Sequence, residues 1–186
     1  MLQPRYLLHT GEGDRFGEAV HHIDVYAFDS LGIYRKMFRD KGAHLKNGYR
    51  MPIDLPEGKW TFLCLGGKVG DYEIGIFKTG IPQQFSLAVS PGITTLSDFR
   101  VKAYFEQKEN LEYSLGELFF GRLDSMEITA DNGGTGVVDL MKNTNKIEVR
   151  VKGIADGSSA RITSDNGRFN SENVTPADAG TIIYVP

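Results

Sequence analysis

The side chains best suited to chemistry in this chain are a histidine pair, one cysteine and an acidic loop. His21-His22 could share a metal ion only if both imidazoles converged on it. Adjacent strand residues point to opposite faces, so the pair reads as a polar strand entry. Cys64 is the single cysteine, which excludes an intrachain disulfide. A nucleophilic thiol wants a histidine or cation beside it to hold the thiolate, and its sequence neighbours supply neither. Cys64 alternates with Trp60 and Phe62, so its expected place is a buried apolar face. Asp165-Asn-Gly-Arg-Phe-Asn-Ser-Glu-Asn173 spaces its oxygen side chains superficially like a calcium loop. It lacks the twelfth-position glutamate and the flanking helices, and a hairpin turn on Asn166-Gly167 explains it with less. Gly11-Glu-Gly13 and Gly66-Gly67 lead into neither a Gly-Lys-Ser/Thr ending nor a helix, so they are not phosphate loops. Neither Gly-x-Ser-x-Gly, His-Glu-x-x-His nor Cys-x-x-Cys occurs. No catalytic, cofactor-binding or metal residue is therefore nominated, and the expectation is a protein that is not an enzyme and works without a cofactor.

The elements that carry these residues read as strands. In His22-Ile-Asp-Val-Tyr-Ala-Phe28, Ile23, Val25 and Ala27 share one face, and the other runs from Asp24 to Tyr26 and Phe28. That period suits a half-buried strand. Asp29 and Gly32 flank Ser30-Leu31 as a type I turn with a following bulge prefers, which makes Ile33–Phe38 the return strand. Further strands are expected at Arg5–His9, Lys59–Leu65, Tyr72–Phe77, Phe99–Phe105, Ser125–Ala130, Gly136–Leu140 and Lys146–Gly153, each bounded by Gly, Pro, Asn or Asp. Asp131-Asn-Gly-Gly134 is a strong hairpin signal, because glycine and asparagine accept positive φ. Helical signal is weak. Thr95-Leu-Ser-Asp98 opens a short turn capped by Ser97 or Asp98, and one or two turns fit within Gln107–Leu118.

With 186 residues, 22 glycines and 8 tyrosines, the chain suits many short strands better than long helices. A net charge of -3 with scattered Lys and Arg gives no drive toward nucleic acid. No apolar run approaches the ~20 residues of a spanning helix. Residues 1–142 hold enough strands for two packed sheets. Residues 143–186 are too few for a stable core of their own and read as the start of a second β-domain. Pro4–His9 begins directly as a strand and Thr181-Ile-Ile-Tyr-Val-Pro186 stops in one, so the expectation is a piece of a longer protein rather than a complete cytosolic one.

Four segments in this order resemble one family: Val25-Tyr-Ala-Phe-Asp-Ser-Leu-Gly32; Leu55-Pro-Glu-Gly-Lys-Trp-Thr-Phe62 with Gly66-Gly67; Leu118-Phe-Phe-Gly121; and Lys142-Asn-Thr-Asn-Lys-Ile-Glu-Val-Arg-Val-Lys-Gly153. They are similar to the fimbrial anchoring subunits of Bacteroides-type pili, the FimB-type or minor-fimbria anchors. Asp165–Asn170 and Ile183–Pro186 resemble the opening of that family's second domain. The resemblance implies an all-β fold, a transthyretin-like Greek-key β-sandwich followed by the start of a second. It implies a lipoprotein held at the outer membrane by an N-terminal lipidated cysteine, a role that Cys64, deep inside a strand, does not fit. It implies fimbrial subunits as partners, joined by strand addition. Two alternatives stand beside it. In a pilus stalk or tip subunit, Thr181–Val185 would itself be a donor strand. In a carbohydrate-binding sandwich, Trp60, Tyr72 and Tyr104 would be the aromatic candidates, although Trp60 shares the Cys64 face.

Overall fold

The computed structural model describes residues 1–7, 13–77, 85–103, 115–131, 133–144, 150, 152–153, 162–164, 167–176 and 182–184. Strands dominate them: β1 Leu2–Tyr6, β2 His22–Phe28, β3 Tyr34–Lys41, β4 Gly58–Gly67, β5 Tyr72–Phe77, β6 Phe85–Ser86, β7 Phe99–Ala103, β8 Leu118–Ile128, β9 Gly136–Lys142, β10 Ile162–Ser164, β11 Arg168–Asn170 and β12 Ile182–Tyr184. One four-residue helix, α1 Phe16–Ala19, and a 3-10 turn at Val69–Asp71 complete the set.

Two sheets stack. The larger runs β1-β9-β8-β4-β2-β3 and the smaller β11-β7-β5-β6, while β10 and β12 pair only with each other. Every ladder is antiparallel except β1 on β9, where residues from the two ends of the sandwich lie side by side, Leu2 opposite Gly136 and Tyr6 opposite Leu140. The central strands β2 and β4 of the large sheet are buried on both faces. Ile23, Val25, Ala27, Phe62, Cys64 and Phe119 face Phe16, Val20, Leu45 and Met51, which come from α1, the residue that follows it and the 43–55 segment. Tyr26, Phe28, Leu63, Leu65, Leu118 and Phe120 pack against Phe99 and Val101 of the small sheet. The two faces expected of His22–Phe28 are thus as read. The half-buried expectation is corrected: both are closed, because the 43–55 segment folds back over what would have been the outer side.

The β2–β3 turn forms as its sequence indicates. The Gly32 N–H donates to the Asp29 carbonyl at 2.9 Å and the Asp29 N–H to Ile33 at 3.0 Å. Gly32 takes φ 72°, which costs glycine nothing. A second irregularity follows, since Phe28 pairs Tyr34 but Ala27 pairs Lys36, leaving Arg35 as an extra residue.

Several expectations move. The first strand is Leu2–Tyr6 rather than Arg5–His9. Leu118 opens a strand of eleven residues, and Thr95 caps the 95–98 turn through its own hydroxyl, 3.3 Å from the Asp98 N–H. No hairpin joins Ile162–Ser164 to Arg168–Asn170. The former pairs Ile182–Tyr184 and the latter pairs β7, with Phe169 opposite Val101 and packed on the core. In that place Phe169 joins apolar contacts that pairing with β10 would not supply. Tyr104, the 107–114 segment and the strand expected around 146–149 lie outside the described residues.

Candidate functional site

The edges of a sheet are where backbone hydrogen-bonding groups can be left open, and the edges of this sandwich differ in how they are closed. β1 is sealed by the chain itself. Leu2 exchanges both hydrogen bonds with Met51, donating at 2.9 Å and accepting at 2.8 Å. Pro4 lies at the next outward position and has no N–H to offer. The Tyr6 N–H donates to Asp14 Oδ1 at 3.0 Å, and its carbonyl accepts from the Arg15 N–H at 2.8 Å.

The β7 edge is filled by β11. Phe169 meets Phe120 edge-on at 5.6 Å, and the Arg168 guanidinium lies 4.4 Å from the Phe77 ring centre. The segment is also held from the large sheet, where Arg122 Nη1 donates to the Ser171 carbonyl at 3.2 Å and the Asn143 and Asn173 amides pair with each other. β11 then turns back, its Asn170 N–H donating to the Val174 carbonyl at 3.0 Å. On the opposite edge, β6 is two residues long.

β3 differs. Its first residue is covered: Tyr34 donates to Thr94 and accepts from Gly92, each at 2.8 Å. Beyond the Arg35 bulge that cover ends. The Gly42 N–H reaches the His21 carbonyl at 2.9 Å, which fixes the alternation. Lys36, Phe38 and Asp40 address β2, and Met37, Arg39 and Lys41 turn their backbone groups outward. The Lys41 N–H is taken by Asp40 Oδ1 at 2.7 Å. Those of Met37 and Arg39 have no partner among the described residues.

Two polar clusters flank this edge, and sequence reasoning assembled neither. Asp24 is fully buried and accepts from Arg39 Nε and Nη2, both at 2.7 Å, with His22 Nε2 at 2.9 Å. His22 opens β2 and lies within hydrogen-bond distance of Asp24; a period-2 plot could have paired Asp24 with His22 but not with Arg39. Asp40 accepts from the Tyr49 hydroxyl at 2.5 Å and meets His44 Nε2 at 2.9 Å. Those hydrogen bonds, Tyr49's first, hold the Asp40 carboxyl below its ordinary range, despite some burial.

The remaining candidates are structural. Cys64 is fully buried and its thiol is pushed far up by that burial, the opposite of activation. Trp60 is 6% exposed and donates to the Pro56 carbonyl at 3.0 Å. The Tyr72 hydroxyl donates to Gly116 at 2.9 Å. A cleft of about 550 Å³ opens beside Trp60, but its charges are spent on one another, Arg35 on Asp29 at 2.6 Å and Lys36 on Asp54 at 3.4 Å. Among the described residues no cluster of three His, Cys, Asp or Glu could hold a metal ion, and no helix is long and apolar enough to cross a membrane.

A family model described as Mfa2, fimbrillin-A associated anchor proteins Mfa1 and Mfa2, matches residues 1–186. No curated protein sequence matches. Among solved structures, a candidate polysaccharide-binding protein from Bacteroides thetaiotaomicron is similar at TM-score 0.73 and 18% identity, over 100% of this chain and 63% of that one. A candidate adhesin from Bacteroides ovatus is similar at TM-score 0.71 and 24% identity, over 100% and 61%. The fimbrial anchor protein Mfa2 from Porphyromonas gingivalis is similar at TM-score 0.64 and 17% identity, over 98% and 64%. The chain thus spans less than two thirds of the length of each of these relatives.

Proposed function

The chain belongs to the family of fimbrillin-A associated anchor proteins, and from that premise we propose that it is a non-enzymatic subunit that anchors or helps assemble a pilus at the cell surface. The whole-chain family match carries this reading. The mechanism we favour is strand addition, in which an extended segment of a fimbrial subunit completes one of the sheets. An all-β sandwich in which one edge keeps free backbone donors suits that mechanism, because main-chain hydrogen bonds supply affinity and alternate side chains fix register. The proposed location is the outer membrane, with a lipid holding the protein there. Within residues 143–186, β11 completes the small sheet, while β10 and β12 pair outside both main sheets; those two strands are proposed to belong to the start of a second β-domain.

The test is where the fibres go. Cells lacking the protein should release fimbriae into the medium, and restoring it should return them to the cell fraction. Fimbriae that stay cell-bound without it would refute anchoring.

The tip-adhesin and polysaccharide-binding readings rest on how two structural relatives are described. For a glycan platform the chain offers a buried Trp60 and a Tyr72 tied by its hydroxyl, which favours the anchor.

A further inference from the structure

We propose that the outward face of β9 and β1 is the surface on which the second β-domain, the one that β10 and β12 begin, docks against the sandwich. This rests on the second-domain reading above and gives that domain its seat. Alternation defines the face. Val138 and Leu140 of β9, with Leu2 and Tyr6 of β1, point into the cluster beneath α1 and the 43–55 segment. Val137, Asp139 and Met141 therefore point to the other side, the side of the small sheet, with Gln3 beside Val137 and Arg5 beside Asp139. The small sheet does not reach them. The inter-sheet core takes Leu118 and Phe120 of β8 and, among the described residues, nothing from β9 or β1. Val137 and Met141 are left 43% and 63% exposed. They flank the Arg5–Asp139 ion pair, and apolar side chains mixed with paired charge are what interfaces between domains contain.

Three observations name the occupant. The first is reach. Phe169 meets the Phe120 ring and Arg122 donates to the Ser171 carbonyl, so β11 and the residue after it lie over β8, the strand beside β9. β10 ends at Ser164, four residues before β11 opens at Arg168. Such a connection spans at most about 14 Å. β9 and β1 lie only about 5 and 10 Å to the side of β8, within that reach. The second observation is where the chain departs. Asn143, two residues beyond Met141, pairs through its amide with Asn173, and Val174, 54% exposed, comes next. The segments leading on to β10 and to β12 thus both set out from the Met141 end of the face. The third is need. Two strands that pair only with each other are marginal in water until a third strand or a packing surface joins them. Each structural relative has more than a third of its length beyond its match to this chain, room for the rest of such a domain.

The experiment compares the whole protein, as its gene encodes it, with the 186-residue chain. Hydrogen peroxide gives one oxygen atom to an accessible methionine sulfur and leaves as water, and peptide mass reads the sulfoxide. Met141 should oxidise promptly in the 186-residue chain and at least about tenfold more slowly in the whole protein. This readout needs no substitution, so folding of a variant does not enter. A second one does. Cys64 is buried, so an introduced cysteine is the only reactive thiol. Val137→Cys should react with a thiol reagent at least about tenfold more slowly in the whole protein than in the 186-residue chain. Ile93→Cys, on the turn that caps β3 at the opposite edge of the sheet, should react equally fast in both. Met141 and the Val137→Cys thiol reacting as fast in the whole protein as in the 186-residue chain overturns the docking face and leaves the second domain standing. Protection that grows with protein concentration means that a second copy covers the face, which overturns the proposal as well. A gene product with nothing beyond residue 186 removes the second domain, and the proposal falls with it.

Discussion

Arg39→Ala should be among the most destabilising changes that can be made at an exposed position of this chain. Asp24 has 0% relative exposure, yet it faces the inter-sheet core directly before Tyr26 and Phe28. Its carboxylate is tolerated there because Arg39 grips both oxygens at 2.7 Å and His22 approaches one of them at 2.9 Å. Removing one partner of a buried pair costs about 3–5 kcal/mol, because the other charge is left desolvated. Here the arginine side chain is 52% exposed and His22 remains, so water can enter the space it vacates. The lower end, about 3 kcal/mol, is expected. With a urea slope of about 2 kcal/mol/M, the unfolding midpoint should fall by about 1.5 M at constant slope. The companion variant decides the cause. Asp24→Leu combined with Arg39→Ala removes the charge together with its partner and sets an apolar side chain beside Leu65, its neighbour on β4. That double variant should recover to within about 1 kcal/mol of wild type. If it is as unstable as the single change, the loss comes from the arginine's packing and the reasoning fails; a single-variant cost below about 0.5 kcal/mol refutes it equally.

Three further outcomes are expected. Asp29 is lowered in pKa: burial opposes this, but the Ile33 and Leu31 amides and Arg35 outweigh it. A depressed carboxylate stabilises above its unfolded pKa and loses that contribution as pH falls through the folded value, so the thermal gap between wild type and Asp29→Ala, about 1–2 kcal/mol at pH 7, should close towards pH 3; a gap constant with pH would contradict this. Gly121→Ala should cost about 2–3 kcal/mol in chemical unfolding, since its Cβ would sit 2.8 Å from the Asp139 carbonyl oxygen of the neighbouring strand, whereas Gly70→Ala, with nothing within 4 Å, should change stability by less than about 0.5 kcal/mol. Cys64 should react with a disulfide reagent at pH 8 only as fast as the protein unfolds; prompt labelling of the folded chain would show that the strand is not closed on both faces.

The fold was legible where the pattern was local. The Asp29–Gly32 turn, the two faces of His22–Phe28, the Trp60-Phe62-Cys64 face and the buried Phe99 and Val101 all follow from period 2 and turn chemistry, which need no knowledge of partners. Non-local pairings were not legible. Nothing in Leu2–Tyr6 announces a parallel partner some 134 residues on. Nothing in Arg168-Phe-Asn170 says that it will join β7 instead of closing a hairpin on itself. α1 was missed because four residues carry too little periodicity to register. The buried Asp24 was visible as an acid on an otherwise apolar face; its partner on β3 follows only once the hairpin register is set, and the Arg35 bulge shifts that register by one.

That bulge links the stability of the sandwich to its open edge. Had Arg35 taken a regular ladder position opposite Ala27, the alternation of β3 would invert beyond Tyr34. Arg39 would then turn away from Asp24, and the outward amides would belong to Lys36, Phe38 and Asp40. Bulging that one position therefore satisfies the buried carboxylate and leaves the Met37 and Arg39 backbone groups facing outward. Deleting Arg35 should thus regularise the ladder in its present register, with Lys36 following Tyr34 directly and still opposite Ala27. Asp24 should keep its guanidinium, and the fast and slow amides along β3 should stay as they are. Hydrogen exchange reads this directly. A deletion variant in which Phe38 and Asp40 become fast while Met37 and Arg39 become slow would mean that the register slips by one, and the coupling between bulge and edge would be wrong.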